Sequence, residues 1–352
     1  MTVFSSPAYE DHEAAHFFHD AGSGMRAIIA IHSTARGPAA GGCRMWNYAS
    51  EQAAIDDALR LSRAMSYKNA IADLELGGGK CVIVGESHTD KTPALFEAVG
   101  DAVEQLSGRY WAAEDVGVTT DDLATVRRRT AFVAGLEGHP AASGDPSGVA
   151  AEGVFRGIGL CVRRSLNRDL RGVRVAIQGA GHVGAALAAK LAAAGAELFI
   201  ADPDEALAWE VKTRTGAEIV APGAIFDAPV DVFAPCAVGG TITTENLARL
   251  RARIIAGGAN NPLANAEAGR AIWEKGLIYA PDFVINGGGI INVAGEIRAL
   301  AAGTAFDPAW VEGKLARLMQ TLEEVLERSL RERRPTQDVA GEMARERLRA
   351  KG

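Results

Sequence analysis

At 352 residues the chain is long for one hydrophobic core, so two domains are the natural expectation. Apolar residues make up 48% and charged residues 23%, a globular composition. The net charge of −7 argues against a nucleic-acid or anionic-membrane surface and leaves small molecules and other copies of the chain as expected partners.

The N-terminal stretch from Met1 to Asp20 carries Glu10, Asp11, Glu13 and several histidines, with none of the apolar run of a signal peptide. Arg26–His32 reads as a strand and Gly37–Gly42 as a loop. Ser50 is placed to cap a helix from Glu51 to about Tyr67, with Ile55, Ala58 and Leu59 on one face. Gly77, Gly78 and Gly79 read as a turn leading into Lys80 and a strand, followed by a helix from Thr92 to Leu106 and the short run RYWAAEDVG. Between Gly135 and Pro146 the composition turns to Gly, Pro, Ser and Ala, a linker signal. A helix follows, then a strand at Val173–Gln178, and β/α alternation to about Val284 predicts a parallel, doubly wound sheet. The longest apolar stretch, Ala185 to Ile200, is broken by Lys190 and Glu197, so no membrane span is expected and a cytoplasmic location is. Helical pattern runs from Pro308 to Leu330, and the charged tail Arg331–Gly352 reads as a helix with a solvated face. Cys43, Cys81, Cys161 and Cys236 are widely spaced and form no CxxC pair, so reduced thiols and no metal are expected.

The strongest local signal is Gly179-Ala180-Gly181-His182-Val183-Gly184, a GxGxxG set between a strand and an Ala-rich helix. The first glycine permits the tight turn, the second lets backbone approach a pyrophosphate, and the third lets helix and strand pack closely. The helix N-terminus offers free N–H groups to phosphate. Asp202 closes the next strand, where a carboxylate accepts hydrogen bonds from the adenosine ribose. Pro203, Asp204 and Glu205 follow, with no cation for a 2′-phosphate. NAD is favoured over NADP.

In the first third, Lys68 (MSYKNA) read alone is a snorkelling helix residue more often than a ligand. Lys80 stands between three glycines and an apolar strand, where its ammonium would lie close to backbone and substrate. Asp115 (AEDVG), taken alone, would be a cap or turn residue. Together, two cations can hold a carboxylate and polarise a carbonyl adduct, a carboxylate can move protons to and from nitrogen, and a nicotinamide accepts hydride. Those are the parts of an α-amino-acid oxidation.

Over nearly its whole length the chain resembles the glutamate/leucine/phenylalanine/valine dehydrogenase family, most closely its leucine and phenylalanine branch. The resemblance runs through GPAAGGCRMW, MSYKNAIADLELGGGKCVI, RYWAAEDVG, SGDPSGV, the glycine fingerprint, DVFAPCAVGGTIT, AGGANNPLA and YAPDFVINGGGIINVAGE. It implies an α/β protein with an N-terminal α/β substrate-binding and oligomerisation domain, residues 1–138 plus 330–352. A Rossmann NAD-binding domain, residues 139–329, would be separated from it by a cleft, the last helix returning towards the first domain. Lys68 would hold the substrate carboxylate, Lys80 would activate water and stabilise the carbinolamine oxygen, and Asp115 would exchange protons with the amino group. Asn260 and Asn261 would contact substrate and nicotinamide, the two not being told apart. Asn286, Cys236, Ala237, Gly239 and Gly258 would border the cofactor. Relatives carry a threonine that bonds the nicotinamide carboxamide where this chain has Ala150, so Ser147 or a backbone group is expected to replace it.

The matching motifs also imply a side-chain pocket of Ala40, Gly41, Met65, Ala113, Ile290 and Val293, with no cation to pair with a glutamate γ-carboxylate. Ala40, where relatives often have leucine, implies room for a bulky side chain. The expected reaction is NAD-dependent, reversible oxidative deamination of a hydrophobic L-amino acid, phenylalanine-like favoured, in a homo-oligomer. A leucine/valine-type enzyme and a non-catalytic NAD-binding homologue are the alternatives. A hydroxy-acid dehydrogenase is disfavoured, because His182 lies in the phosphate loop and the other histidines have no motif.

Overall fold

The computed structural model describes residues 3–350. After a 3-10 turn at Val3–Ser5, the first sheet is built from β1 (Ala14–Asp20), β2 (Met25–Ser33), β3 (Ala39–Trp46), β4 (Gly77–Val84) and β5 (Tyr110–Glu114). Its order is β1-β2-β4-β3-β5. β1 and β2 form an antiparallel hairpin and β2 pairs antiparallel with β4, whereas β3 runs parallel to both β4 and β5. Between β3 and β4 comes α1 (Glu51–Ile71), and α2 (Pro93–Glu104) and α3 (Thr120–Arg127) flank β5 in sequence. Ser50 caps α1 through Ala53 N as the sequence predicts, and Thr92 caps α2 through Leu95 N.

Side chains alternating across the strands feed two cores. Ile29, Ile31, Cys43, Met45, Cys81 and Ile83 pack with Leu95, Phe96, Val99 and Val103 of α2. Ala30 and Val82 on the other face pack with Ala54, Ala58 and Leu59 of α1.

Two expectations about glycine are corrected here. Gly37–Gly42 is not all loop, because β3 begins at Ala39, and Gly77–Gly79 is not a turn but the start of β4. These glycines serve close packing. A Cβ on Gly78 would lie 2.1 Å from the Ser66 amide nitrogen of α1, and one on Gly41 would lie 1.9 Å from the Gly79 carbonyl oxygen. The helix therefore lies directly on bare strand backbone.

The second sheet contains β6 (Arg174–Gln178), β7 (Glu197–Ala201), β8 (Glu218–Ile219), β9 (Val232–Pro235), β10 (Ile254–Ile255) and β11 (Ile278–Tyr279). All pairings are parallel and the order is β11-β10-β9-β6-β7-β8. Counted from β6, that is 3-2-1-4-5-6, the strand order of a dinucleotide-binding sheet. Its helices in chain order are α4 (Ser147–Leu166), α5 (His182–Ala193), α6 (Glu205–Thr215), α7 (Thr244–Arg249), α8 (Ala266–Glu274) and α9 (Asp282–Ile285), with a 3-10 helix at Pro222–Asp227. The chain ends with α10 (Gly288–Ala302), α11 (Pro308–Glu332) and α12 (Thr336–Arg349). Among the described residues no helix is long and apolar enough to cross a membrane.

The chain divides into two compact units. One runs to Asp145 and takes in Asn292–Val311 and the chain from Ala344; the other is Pro146–Ile291 with Glu312–Met343. This differs from a division at 138/139 and 330. Glu296 supplies the reason at the first boundary. Its side chain is fully buried, and its oxygens accept from Gly135 N (2.9 Å), Leu136 N (3.3 Å), Ser143 N (3.1 Å) and Ser143 Oγ (2.7 Å). The segment that reads as linker is thereby tied to α10 as part of the first unit.

The tail also departs from a merely solvated helix. Val339, Ala340, Met343 and Ala344 of α12 are buried, and Arg347 donates to the Ala70 and Ile71 carbonyls at the end of α1. Lys351 and Gly352 lie outside the described residues.

Replacing Glu296 by alanine leaves three backbone N–H groups and a hydroxyl without an acceptor. A loss of about 3–5 kcal/mol is expected, with a smaller loss for Glu296→Gln, which keeps one accepting oxygen. Denaturant titration followed by fluorescence would check this, and an E296A midpoint equal to the parent's would contradict it.

Candidate active site

Three charged side chains converge on the first sheet where β4, β3 and the end of β5 lie side by side. β3 lies between β4 and β5, with Arg44 beside Val82 and Cys43 beside both Cys81 and Glu114. Strand alternation then puts Arg44, Val82 and Lys80 on the same face, the one covered by α1. Asp115 follows β5 in a tight turn: Val118 N donates to the Asp115 carbonyl (3.0 Å), and Met45 N of β3 to the Val116 carbonyl (3.0 Å). Gly42 makes room for it, since a Cβ there would sit 2.6 Å from Asp115 Cβ.

The Lys80 ammonium is buried, at 5% exposure for the residue, and is paired to Asp115 Oδ2. Arg44 Nε donates to the same oxygen at 3.1 Å. Burial alone pushes the Asp115 carboxyl up, but Lys80 and Arg44 outweigh it and leave the group below the ordinary carboxylate range. A carboxylate held ionised beside a buried ammonium is equipped to take a proton from an incoming amine, while the ammonium can stabilise a developing oxyanion.

Most of the other residues expected in the first unit lie on the same strands and on α1. Ala40 and Gly41 are on β3, Ala113 on β5 beside Gly42, and Val293 on α10. Met65 of α1 abuts Gly41, its Cγ 3.3 Å from where a Cβ on that glycine would be. Lys68, half-buried, follows Met65 by three residues and shares its helix face. Ala40 is 1% exposed, so it offers almost no surface to a ligand.

The second unit gathers the expected dinucleotide residues at the point where strand order reverses, between β6 and β9. Gly179 (φ 105°) turns the chain out of β6, and a Cβ there would lie 2.8 Å from the Cys236 carbonyl carbon and 2.9 Å from Ala237 N. Gly181 caps α5, whose first residues are His182 and Val183, and the space around it is open. A Cβ on Gly184 would lie 2.0 Å from the Gly179 oxygen. Asp202 is anchored by Ala180 N (2.7 Å) on Oδ2 and Asp204 N (2.9 Å) on Oδ1, with Pro203 exposed beside it. A carboxylate so held keeps lone pairs for ribose hydroxyls.

At the other end, a Cβ on Gly258 would meet Val183 Cγ1 at 2.8 Å, and one on Gly239 would meet the carbonyl oxygens of Asn260 and Asn261 at 2.7 and 2.8 Å. The two asparagines can be told apart by geometry. Asn260 Oδ1 accepts from Asn286 Nδ2 (2.9 Å), whereas Asn261 adopts the left-handed conformation (φ 48°) and its amide donates to Asp282 (2.8 Å). Asn286 is buried, and its Oδ1 has no hydrogen-bond partner among the described residues. An orphaned amide oxygen beside the glycine loops fits the N–H of a nicotinamide carboxamide. Ser147 and Ala150 lie on the first turn of α4, and Ile290 at the start of α10. The residues present fit NAD, which when bound supplies the hydride acceptor.

The chain matches the family described as Glu/Leu/Phe/Val dehydrogenase, dimerisation domain, over residues 12–132, and Glutamate/Leucine/Phenylalanine/Valine dehydrogenase over residues 201–350. It is 43% identical to a leucine dehydrogenase of Thermoactinomyces intermedius, covering 99% of this chain and 94% of that protein. The chain belongs to the glutamate/leucine/phenylalanine/valine dehydrogenase family. A phenylalanine dehydrogenase of Bacillus thermotolerans is 39% identical over 97% of this chain and 90% of its own length. The crystal structure of L-tryptophan dehydrogenase from Nostoc punctiforme superposes with a TM-score of 0.84 at 37% identity, covering 97% of both chains. This dehydrogenase is therefore an oxidoreductase acting on the CH–NH2 group of amino acids, with NAD as cofactor.

Sequence reasoning about the dehydrogenase missed Arg44, which touches Asp115 directly, and Asp57 and Tyr48 behind it. The available signal was the arginine inside GPAAGGCRMW on a strand otherwise made of small and apolar residues. At Ala150 the dehydrogenase has a methyl group close to Gly289, 3.7 Å from where a Cβ there would lie. Ala150→Thr places a hydroxyl on the first turn of α4 beside Gly289, and NADH is expected to bind about three- to tenfold more tightly. Fluorescence titration of NADH checks it; unchanged or weaker binding would remove position 150 from the cofactor contacts.

Proposed function

We propose that the dehydrogenase oxidatively deaminates a hydrophobic L-amino acid, reversibly, with a phenylalanine-like side chain favoured. The observation that carries the chemistry is the buried Lys80–Asp115 pair. In this reading Lys68 holds the substrate carboxylate. Asp115 takes a proton from the α-ammonium, and the freed nitrogen lone pair forms the C=N bond as the Cα–H electron pair departs as hydride. Water then adds to the iminium carbon as the C=N electron pair returns to nitrogen and one water proton passes to solvent, with Lys80 orienting the water and stabilising the carbinolamine oxygen. Asp115 returns a proton to nitrogen, the hydroxyl proton passes to solvent, and ammonia leaves with the C–N electron pair as the C=O bond of the 2-oxo acid forms.

The side-chain preference is supported by residue identity: Ala40, Met65, Ala113 and Val293 of the first unit and Ile290 of the second, the residues expected to meet the side chain, include no cation for a γ-carboxylate. The relatives named above for leucine, phenylalanine and tryptophan agree on a hydrophobic substrate and differ on its size. Asn260, Asn261 and Asn286 are assigned to the nicotinamide end and Gly179–Gly184 with Asp202 to the adenosine and phosphate end. We further assign a cytoplasmic homo-oligomer, supported by the match of the first unit to a dimerisation domain.

The test is NADH formation with NAD across L- and D-amino acids, including phenylalanine, tryptophan, leucine, valine, methionine, alanine and glutamate, with lactate as control. Turnover is expected on apolar L-amino acids, falling about 10²- to 10⁴-fold in Lys80→Ala and Asp115→Asn. Leucine above phenylalanine would move the preference to the branched-chain type. Glutamate above every apolar substrate would overturn the pocket assignment, and silence across the panel with NAD still bound would establish a non-catalytic homologue.

A further inference from the structure

Asp115 receives two cations on a single oxygen. Lys80 Nζ and Arg44 Nε both reach Oδ2, one from β4 and the other from β3. An ammonium is a point donor on a flexible stem, and by itself leaves a carboxylate free to turn about its Cβ–Cγ bond. A guanidinium is a planar fork, and its direction is fixed when both prongs are engaged.

Both prongs of Arg44 are engaged. While Nε holds Asp115, Nη1 donates to Asp57 Oδ2 at 3.1 Å. Asp57 stands on α1 and is itself braced: Tyr48 donates its hydroxyl to the same Oδ2 at 2.7 Å, and Arg60 donates to Oδ1 at 2.6 Å. The array is partly shielded, with side-chain exposures of 24% for Arg44, 15% for Asp57 and 21% for Asp115.

We propose that Arg44, braced by Asp57 and Tyr48, is a positioning residue for proton exchange: it holds Asp115 with Oδ2 on the cations and Oδ1 for the substrate nitrogen, and sets the pH below which turnover fails. This rests on Asp115 being the group that exchanges protons with the amine.

The charges around Asp115 determine the sign of the test. Facing it are Lys80 from β4, Arg44 from β3, and Asp57, Arg60 and Tyr48 through Arg44; Glu114 precedes it, and the buried Cys43 and Cys81 thiols lie beneath. Removing the Arg44 charge makes the surroundings more negative, so Asp115 keeps its proton to higher pH. Removing the Asp57 charge makes them more positive and does the reverse. The acid limb of kcat therefore moves in opposite directions in the two variants. A merely structural loss has no such sign.

The experiment is the pH profile of kcat and KM, with NAD and the best apolar amino acid from the panel, for the parent, Arg44→Gln, Arg44→Lys, Asp57→Asn and Asp115→Asn. In R44Q the acid limb should move up by about one pH unit and kcat should fall about tenfold or more, with KM changing less than kcat. R44K, keeping the charge without the fork, should restore the limb but not the full kcat. D57N should move the limb down. An unmoved limb in R44Q, or limbs moving the same way in R44Q and D57N, overturns the proposal. If R44Q does not fold, D57N decides: a limb unmoved or moved up overturns it. Activity retained in D115N would instead overturn the assignment of Asp115, a separate failure.

Discussion

A buried ammonium dictates the architecture of the first unit. Lys80 sits at 5% exposure on an interior strand, and an ammonium taken out of water needs a counter-charge within hydrogen-bond reach. Asp115 supplies it, and it can do so only because Gly42 leaves the space its Cβ occupies. The short turn after β5, pinned to Met45 of β3, fixes the height at which the carboxylate stands. Above the strands, the bare backbone of Gly78 lets α1 descend far enough for Asp57 to reach Arg44. The Gly-rich strands, the closely seated helix and the convergent charges are one solution to one electrostatic requirement.

The second unit uses bare backbone for a different end. In the first unit glycine brings helix and strand together around side-chain charges. Around Gly179, Gly181 and Gly184 it exposes main-chain N–H groups at the start of α5, where a phosphate can take the place of water. The strand order puts the loops after β6 and β9 side by side, so Cys236 and Ala237 adjoin the fingerprint without any sequence proximity to it. Binding a dinucleotide is thus a property of topology as much as of motif.

The parts legible in the sequence were those whose physics is local. The Ser50 cap, the strand–GxGxxG–helix unit and the β/α alternation each declare themselves within a few residues. Gly37–Gly42 and Gly77–Gly79 misled because a glycine run reads as a turn when its neighbours are unknown. Its true cause, the approach of α1 and of a parallel strand, is contributed by residues far away in the chain. Arg44 was hidden for the same reason, since its partners Asp57 and Asp115 come from another helix and another strand. The tail looked solvated because charge dominates its composition, yet Arg347 closes the carbonyl end of α1, a use of arginine that only the folded chain reveals.

Two buried carboxyl groups in the first unit show how environment separates structural from chemical roles. Glu296 is enclosed completely, and its oxygens are occupied by three backbone amides and a hydroxyl on a single loop. Its hydrogen-bonding capacity is consumed in holding that loop, and any new partner would have to break it. Asp115 is held instead by side-chain cations gathered on one oxygen, with about a fifth of the side chain still open to solvent. The two cations stabilise its charge while both occupying Oδ2, so Oδ1 is left for a substrate amine. The donors that surround a carboxyl, more than its depth, decide whether it fastens the fold or does chemistry.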